Sequence, residues 1–336
     1  MRGHTFFFIL LLALLLTTSA CDQQELPPAR VSVKVQLKWV HQAQFVGFYI
    51  ALDEGYYDEE NLDVTLFEGG PAIDQAVALH SGTVDFAVLP AEALLIKNST
   101  LPKMVAISAL YQLNPTVFVA KSDSGIINPK DLTGKIVAVG KMEEGGFLEG
   151  IIQFKAMLKN TGVAFDSIIQ ADYDPQYGAF INGAVDVTPA YMTGGVIKLQ
   201  NQGLNLNLLW PGDYGVNAYG DTLATTDTYI AAHPDIVLRF LRATLKGWQK
   251  AIENQTLALA TTMKYAKIQD TKLQEAMLDI QAPLVSTGDT PIGWMKQSVW
   301  QNMGELYKDS GNEERSAESG TFYTLNFLET IYGPQK

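Results

Sequence analysis

The chain has 336 residues, 47% of them hydrophobic, which is enough for more than one packed domain. Its formal net charge of -12 argues against nucleic acid and against anionic membrane surfaces as partners. A single cysteine excludes a disulfide framework, and the histidines at 4, 41, 80 and 233 lack HxxH or HExxH spacing, so no metal site is supported.

Met1 to Ala20 carries Arg2 and His4, an almost unbroken apolar run from Phe6 to Leu16, and then small residues. That is the plan of a secretory signal peptide, and the run is too short for a permanent span. Thr18-Ser19-Ala20-Cys21 resembles the lipobox of bacterial lipoproteins, with Thr18 in place of the usual leucine. The resemblance implies that Cys21 is lipidated and begins the mature chain. Residues 21–30, polar with Pro27-Pro28, read as a tether without a fold.

Val33, Val35 and Leu37 alternate with Lys34, Gln36 and Lys38, and then Phe45, Phe48, Tyr49 and Leu52 recur at helical spacing. The order is strand, loop, helix. The loop from Trp39 to Gln44 leaves a strand's carboxyl end and enters a helix amino terminus, where open α/β sheets place ligands. A tryptophan at a strand end more often caps a core. An aromatic followed by His41, Gln42 and Gln44 nevertheless makes a poor core segment and a good wall for a flat polar ligand. Trp39, His41, Gln42 and Gln44 are therefore candidate contacts, and Tyr49 on the helix is taken with them. Lys38 reads as an exposed lysine.

Two similar units follow. Asp63 to Phe67 is a strand, Gly69-Gly70-Pro71 a loop and Ala72 to Ser81 a helix; Asp85 to Leu89 is a strand, Pro90-Ala91-Glu92 a loop, and another helix comes next. Glu92 reads equally well as a carboxylate at a helix start or as a ligand acceptor. After Asn114-Pro115 a second sheet begins, with strands at Thr116 to Ala120, Lys135 to Val139 and Ile168 to Ala171. A short helix lies within Asn128 to Thr133, and a longer one follows Glu143-Glu144-Gly145-Gly146 and runs to Asn160. The run from Gly183 to Tyr191 echoes that from Gly82 to Glu92: Gly-x-Val-Asp, strand, Pro-Ala, then a large polar residue. Tyr191 thereby joins the candidates. A strand then ends in Trp210, and its loop supplies Asp213, Tyr214, Asn217 and Tyr219.

Thr222 to Thr225 is the return strand, and Pro234 sits in the first turn of a helix reaching Asn254. Further helices are expected at Thr256 to Ile268, Thr271 to Gln281, Ile292 to Asp309 and Thr321 to Tyr332. Trp248, Trp294 and Trp300 lie on apolar helix faces as core.

The runs LKWVHQAQFVGFYIALDEGYYDEENLDV, SGTVDFAV, INPKDLTGKIVAV and DYGVNAYGDTL resemble substrate-binding lipoproteins of bacterial ABC importers. Within them the resemblance is to the group related to thiamine-pyrimidine-precursor-binding proteins and yeast pyrimidine synthases, which includes riboflavin-binding members. It covers nearly the whole mature chain. It implies an α/β, two-lobed periplasmic-binding-protein type II fold with two strand crossings and a helical C-terminal tail, closing on ligand like a hinged trap. The implied lobes are 31–114 with 223–336, and 115–222. It also implies a monomer without cofactor, lipid-anchored to the cell membrane on its extracytoplasmic face, that serves an ABC permease. Where relatives carry Asn-Glu after the tyrosine matching Tyr191, this chain has Gly194-Gly195.

Three function classes are weighed. The synthases carry a cysteine-rich segment, whereas here the sole cysteine is assigned to lipidation, so no catalytic residue is expected. An oxyanion receptor wants arginine, yet Arg30, Arg239, Arg242 and Arg315 fall in the tether or helical tail. A receptor for a flat neutral heteroaromatic fits the loops best. Trp39, Tyr191, Trp210, Tyr214 and Tyr219 would stack, while His41, Gln44, Glu92, Asp213 and Asn217 would meet ring edges and hydroxyls. A three-ring isoalloxazine offers more stacking area than one pyrimidine, so riboflavin is favoured. The thiamine precursor, hydroxymethylpyrimidine or formylaminopyrimidine, is the alternative.

Overall fold

A computed structural model describes residues 30–97, 102–140, 148–309 and 322–335. The expected signal peptide, Cys21 and the tether up to residue 29 lie outside the described residues, as do Lys141, Glu143 to Gly146 and Arg315.

The first lobe is built from β1 (Val31–Gln36), α1 (Val46–Asp53), α2 (Tyr56–Glu59), β2 (Leu62–Phe67), α3 (Gln75–His80), β3 (Phe86–Pro90), α4 (Ala91–Lys97) and β4 (Met104–Ala109). The second holds β5 (Thr116–Lys121), β6 (Ile136–Gly140), α5 (Leu148–Thr161), β7 (Ile169–Asp172), α6 (Gly178–Ile181), β8 (Val187–Tyr191), α7 (Ile197–Asn201) and β9 (Leu206–Leu209). The chain then returns through β10 (Asp221–Thr226), α8 (Asp227–Ala232), α9 (Pro234–Glu253), α10 (Gln255–Tyr265), α11 (Thr271–Val285), α12 (Gln297–Asp309) and α13 (Asn326–Tyr332).

The sheets have one strand order, β2-β1-β3-β10-β4 and β7-β6-β8-β5-β9. In each, the fourth strand runs antiparallel to its neighbours, so β10 in the first matches β5 in the second. Residues 110–115 and 210–220 make the two crossings. Period-two alternation explains the layers: along β5, Phe118 and Ala120 enter one core of the second lobe, and Val117 and Val119 enter the other.

The Gly-x-Val-Asp echo has a structural cause. Gly82 and Gly183 both adopt left-handed backbone, with φ of 68° and 82°, where a side chain would be strained. The aspartate that follows then clamps the neighbouring strand. Lys34 N–H donates to Asp85 Oδ2 at 2.7 Å, and Ile136 N–H donates to Asp186 Oδ2 at 2.8 Å.

Several elements differ from expectation. The helix foreseen from Ala72 starts only at Gln75, because the Asp74 carboxylate caps it by accepting from Ala76 and Val77 N–H. Pro90-Ala91-Glu92 is not a loop: Pro90 ends β3, and α4 begins at once with Ala91 N–H bonded to Gly220 O. β4 and α8 were not foreseen. Trp294 is buried as expected, but it lies in the segment before α12 rather than on that helix. Among the described residues no helix is long and apolar enough to cross a membrane.

Candidate functional site

The carboxyl ends of β1, β3, β8 and β9 converge where the lobes meet. Lys38, just past β1, donates from Nζ to the Tyr191 hydroxyl at 2.5 Å and pairs with Asp221 Oδ1 at 3.0 Å. Its ammonium also lies 4.3 Å from the centroid of the Tyr191 ring. Gln44 Nε2 donates to the other Asp221 oxygen. Side chains from both lobes and from the return strand thus form one seam. Side-chain exposure is 16% for Lys38 and 2% for Asp221, so this is a largely desolvated ion pair whose hydrogen bonds offset its burial. Lys38 is therefore not the exposed lysine that the alternation of β1 suggests. Beneath it, burial and then the Asp221 charge push the Tyr111 hydroxyl upward; it stays protonated and donates to Gln281 Oε1 at 2.8 Å.

The loop after β1 is braced from behind. His41 Nδ1 lies 3.0 Å from the Tyr49 hydroxyl, and the Tyr49 ring stacks on Tyr265 with centroids 4.5 Å apart. Glu68 accepts from His41 N–H, and Lys267 pairs with Glu68. Tyr49 is fully buried, while Trp39 remains 39% exposed at the outer end of the seam. Gly69 serves the chain itself: a Cβ there would lie 2.2 Å from Leu37 O.

A second join lies toward the hinge. Glu92 is buried and accepts from Gln153 Nε2 of α5 at 2.6 Å and from Asn114 Nδ2 at 3.2 Å. Asn114 also donates to Tyr219 O, and its carbonyl accepts from Trp210 Nε1 at 2.8 Å, so it ties both crossings together. Beside it opens a cavity of about 520 Å³ walled by Trp210, Tyr219, Trp294 and Gln153, with Asp289 and Lys296 also lining it. Asn217 lines it too. The Tyr219 hydroxyl accepts from Lys296 N–H, and its ring lies against Trp300.

Of the other candidates, Asp213 is exposed, and Tyr214 packs on the second-lobe core under α5, where its carbonyl accepts from Asn160. The structure therefore divides the sequence candidates into three groups: Gln44 and Tyr191 at the seam, Glu92, Trp210, Asn217 and Tyr219 at the hinge, and His41 and Tyr49 behind the first loop. Asp221, Gln153, Gln112 and Trp294 were missed as site residues. A buried aspartate opening the return strand was the one available signal, in Gly220-Asp221.

Two α/β sheets of one strand order, joined by two crossings and meeting at their carboxyl edges, define a two-lobed solute-binding fold. The chain belongs to the NMT1/THI5 like family, whose model matches residues 42–258. It is 24% identical over 311 residues to the riboflavin-binding protein RibY of Chloroflexus aurantiacus, covering 90% of this chain and 87% of that one. It is 26% identical over 283 residues to the formylaminopyrimidine-binding protein of Halalkalibacterium halodurans, covering 81% and 83%. Among solved structures it resembles the periplasmic aliphatic sulphonate binding protein of Escherichia coli, with a TM-score of 0.69 at 14% identity over 87% of this chain and 92% of that one. The desulfurization enzyme DszB shares the fold at a TM-score of 0.61 and 13% identity, over 90% and 99%.

Proposed function

We propose that this chain is the extracytoplasmic receptor of an ABC importer. It takes up a flat, neutral heteroaromatic vitamin, riboflavin in preference to the thiamine pyrimidine precursor, and presents it to a membrane permease by lobe closure. The observation that carries the reading is charge compensation at an aromatic lobe junction. Lys38 is held by Asp221 and Lys296 by Asp289, while Trp39 is exposed and Tyr191 and Trp210 are half-buried, so these three keep ring surface available. An oxyanion receptor needs donors left over for its ligand. The described arginines are instead tied to Asp58, Asp235 and Glu60, near the amino end of β2 and away from the seam. The relatives named for riboflavin and formylaminopyrimidine support the class. A cavity of about 520 Å³ lies in the range of small-molecule sites and exceeds what one pyrimidine ring fills.

In this reading Trp39, His41, Gln44, Tyr49, Glu92, Tyr191, Trp210, Asp213, Tyr214 and Tyr219 serve as contacts or as their supports. No residue is assigned a catalytic role: the synthases' cysteine-rich segment is missing, and the sole cysteine, Cys21, is taken by the lipid anchor. Titrating the purified, delipidated protein with riboflavin should quench flavin fluorescence saturably. Binding of formylaminopyrimidine but not riboflavin would transfer the same receptor to the smaller ligand, and binding of neither would reopen the ligand class.

A further inference from the structure

Resting on that receptor reading, we infer that Lys38, Asp221 and Gln44 read the edge of a ring imide in the ligand, an N–H flanked by two carbonyls, and that the Tyr191 hydroxyl holds part of that place where the lobes meet. The three residues belong to the first lobe and Tyr191 to the second. Lys38 follows β1, Gln44 lies in the turn before α1, and Asp221 opens β10 opposite Pro90. The row therefore faces the cleft at the carboxyl ends of the strands, and Tyr191 meets it from across that cleft.

One hydroxyl group meets both charges. The Tyr191 oxygen accepts from Lys38 Nζ at 2.5 Å, and its O–H donates to Asp221 Oδ1 at 3.3 Å, which is what a carbonyl beside an N–H does with two atoms. The ammonium also lies 4.3 Å from the centroid of the half-buried Tyr191 ring, over a face on which a flat ligand would lie. When the lobes part, Tyr191 leaves with the second lobe and the row stays with the first. An entering ligand takes over both hydrogen bonds, and closure brings the Tyr191 ring back onto it.

The row has a fixed order of donors and acceptors. Lys38 meets Asp221 Oδ1 at 3.0 Å and Gln44 Nε2 donates to Oδ2, so the carboxylate lies between two donors. Gln42 Nε2 donates to Gln44 Oε1 at 2.6 Å, which keeps the nitrogen of the Gln44 amide turned toward Asp221. Tyr111 N–H donates to Asp221 O at 3.0 Å and fixes the backbone under the carboxylate. Donor, acceptor, donor is the complement of carbonyl, N–H, carbonyl, which is the imide edge of an isoalloxazine. In the thiamine precursor the amino group has a ring nitrogen on one side only, so one flanking donor would face carbon. An oxyanion brings acceptors alone and would meet the Asp221 charge. Such misfits are costly here because the pair is largely shielded from water.

Fluorescence titration with riboflavin and with 3-methylriboflavin, in which a methyl group replaces the imide hydrogen, tests the row. The wild type should bind the methylated flavin about tenfold or more weakly. Lys38→Met combined with Asp221→Leu removes both charges together, so neither is left buried alone. That double variant should bind riboflavin about tenfold or more weakly and lose the preference between the two flavins. A pair that only joined the lobes would lower both affinities alike and leave the preference in place. Should the double variant not fold, the comparison on the wild type decides alone. If the wild type binds both flavins equally well, or the double variant keeps the wild-type preference, the inference falls and the receptor reading stands. If the wild type binds no riboflavin, that reading fails first and takes the inference with it.

Discussion

At the scale of single residues, His41 shows how a candidate ligand contact can instead be committed to the scaffold. Gln42 N–H donates to the Tyr49 hydroxyl at 3.2 Å, and His41 Nδ1 lies 3.0 Å from the same hydroxyl. Burial lowers the His41 pKa from 6.5, with Lys267 adding to the effect and Glu68 opposing it. Because the folded pKa lies below the unfolded one, this contribution to stability is complete above about 6.5 and is lost as pH falls through the folded value. His41→Gln should therefore flatten the melting temperature between about pH 7.5 and pH 5 relative to wild type. Parallel curves for the two proteins would mean that His41 does not titrate on unfolding. The sequence exposed Gln44 and Tyr191 because strand-end loops have local signatures. It hid Lys38 and Asp221, which stand 183 positions apart: alternation alone makes Lys38 a solvent-facing residue until β10 brings a carboxylate beside it.

Elements were legible where one local rule decided them. Alternation marked β1, the Asn114-Pro115 break marked the start of β5, and the glycine-aspartate pairs marked the starts of β3 and β8. β4 escaped because Met-Val-Ala-Ile-Ser-Ala is almost entirely buried and shows no alternation. Its flanks are set by distant chain, with Ala106 N–H bonded to Phe322 O and Ala109 N–H to Gly293 O. The crossing of α1 over α9 was equally hidden. A Cβ on Gly247 would lie 2.1 Å from Gly47 O, and one on Gly47 would lie 2.3 Å from the Trp248 ring. Backbone cannot rotate away, so the helices approach only because both positions lack a side chain. Alanine is the better helix former by about 1 kcal/mol, yet Gly247→Ala should destabilise by about 2 kcal/mol in urea unfolding. An unchanged or raised midpoint would show that the crossing is looser than this contact requires.

At the scale of the whole molecule, each lobe has its own core, and a smaller join links them. It includes the Lys38–Tyr191 and Glu92–Gln153 links, Ile152 and Ile197 packed against the first-lobe core, and Leu306 of α12 packed against a second-lobe core. Opening the lobes leaves both sheets intact, so rigid motion about residues 110–115 and 210–220 costs far less than unfolding either lobe. A ligand touching both walls stabilises the closed arrangement by its differential contacts alone. Its apparent affinity therefore falls with any loss of the ligand-free closed fraction. Ile197→Asn puts a polar amide into the join without touching the cavity walls, and it should act on that fraction only. X-ray scattering should show the radius of gyration falling when wild-type protein is saturated with riboflavin. The Ile197→Asn protein should start larger, bind more weakly and reach the same saturated radius. If fluorescence shows saturation while the radius stays constant in both proteins, the ligand enters a static structure, and the permease must recognise occupancy by something other than the angle between the lobes.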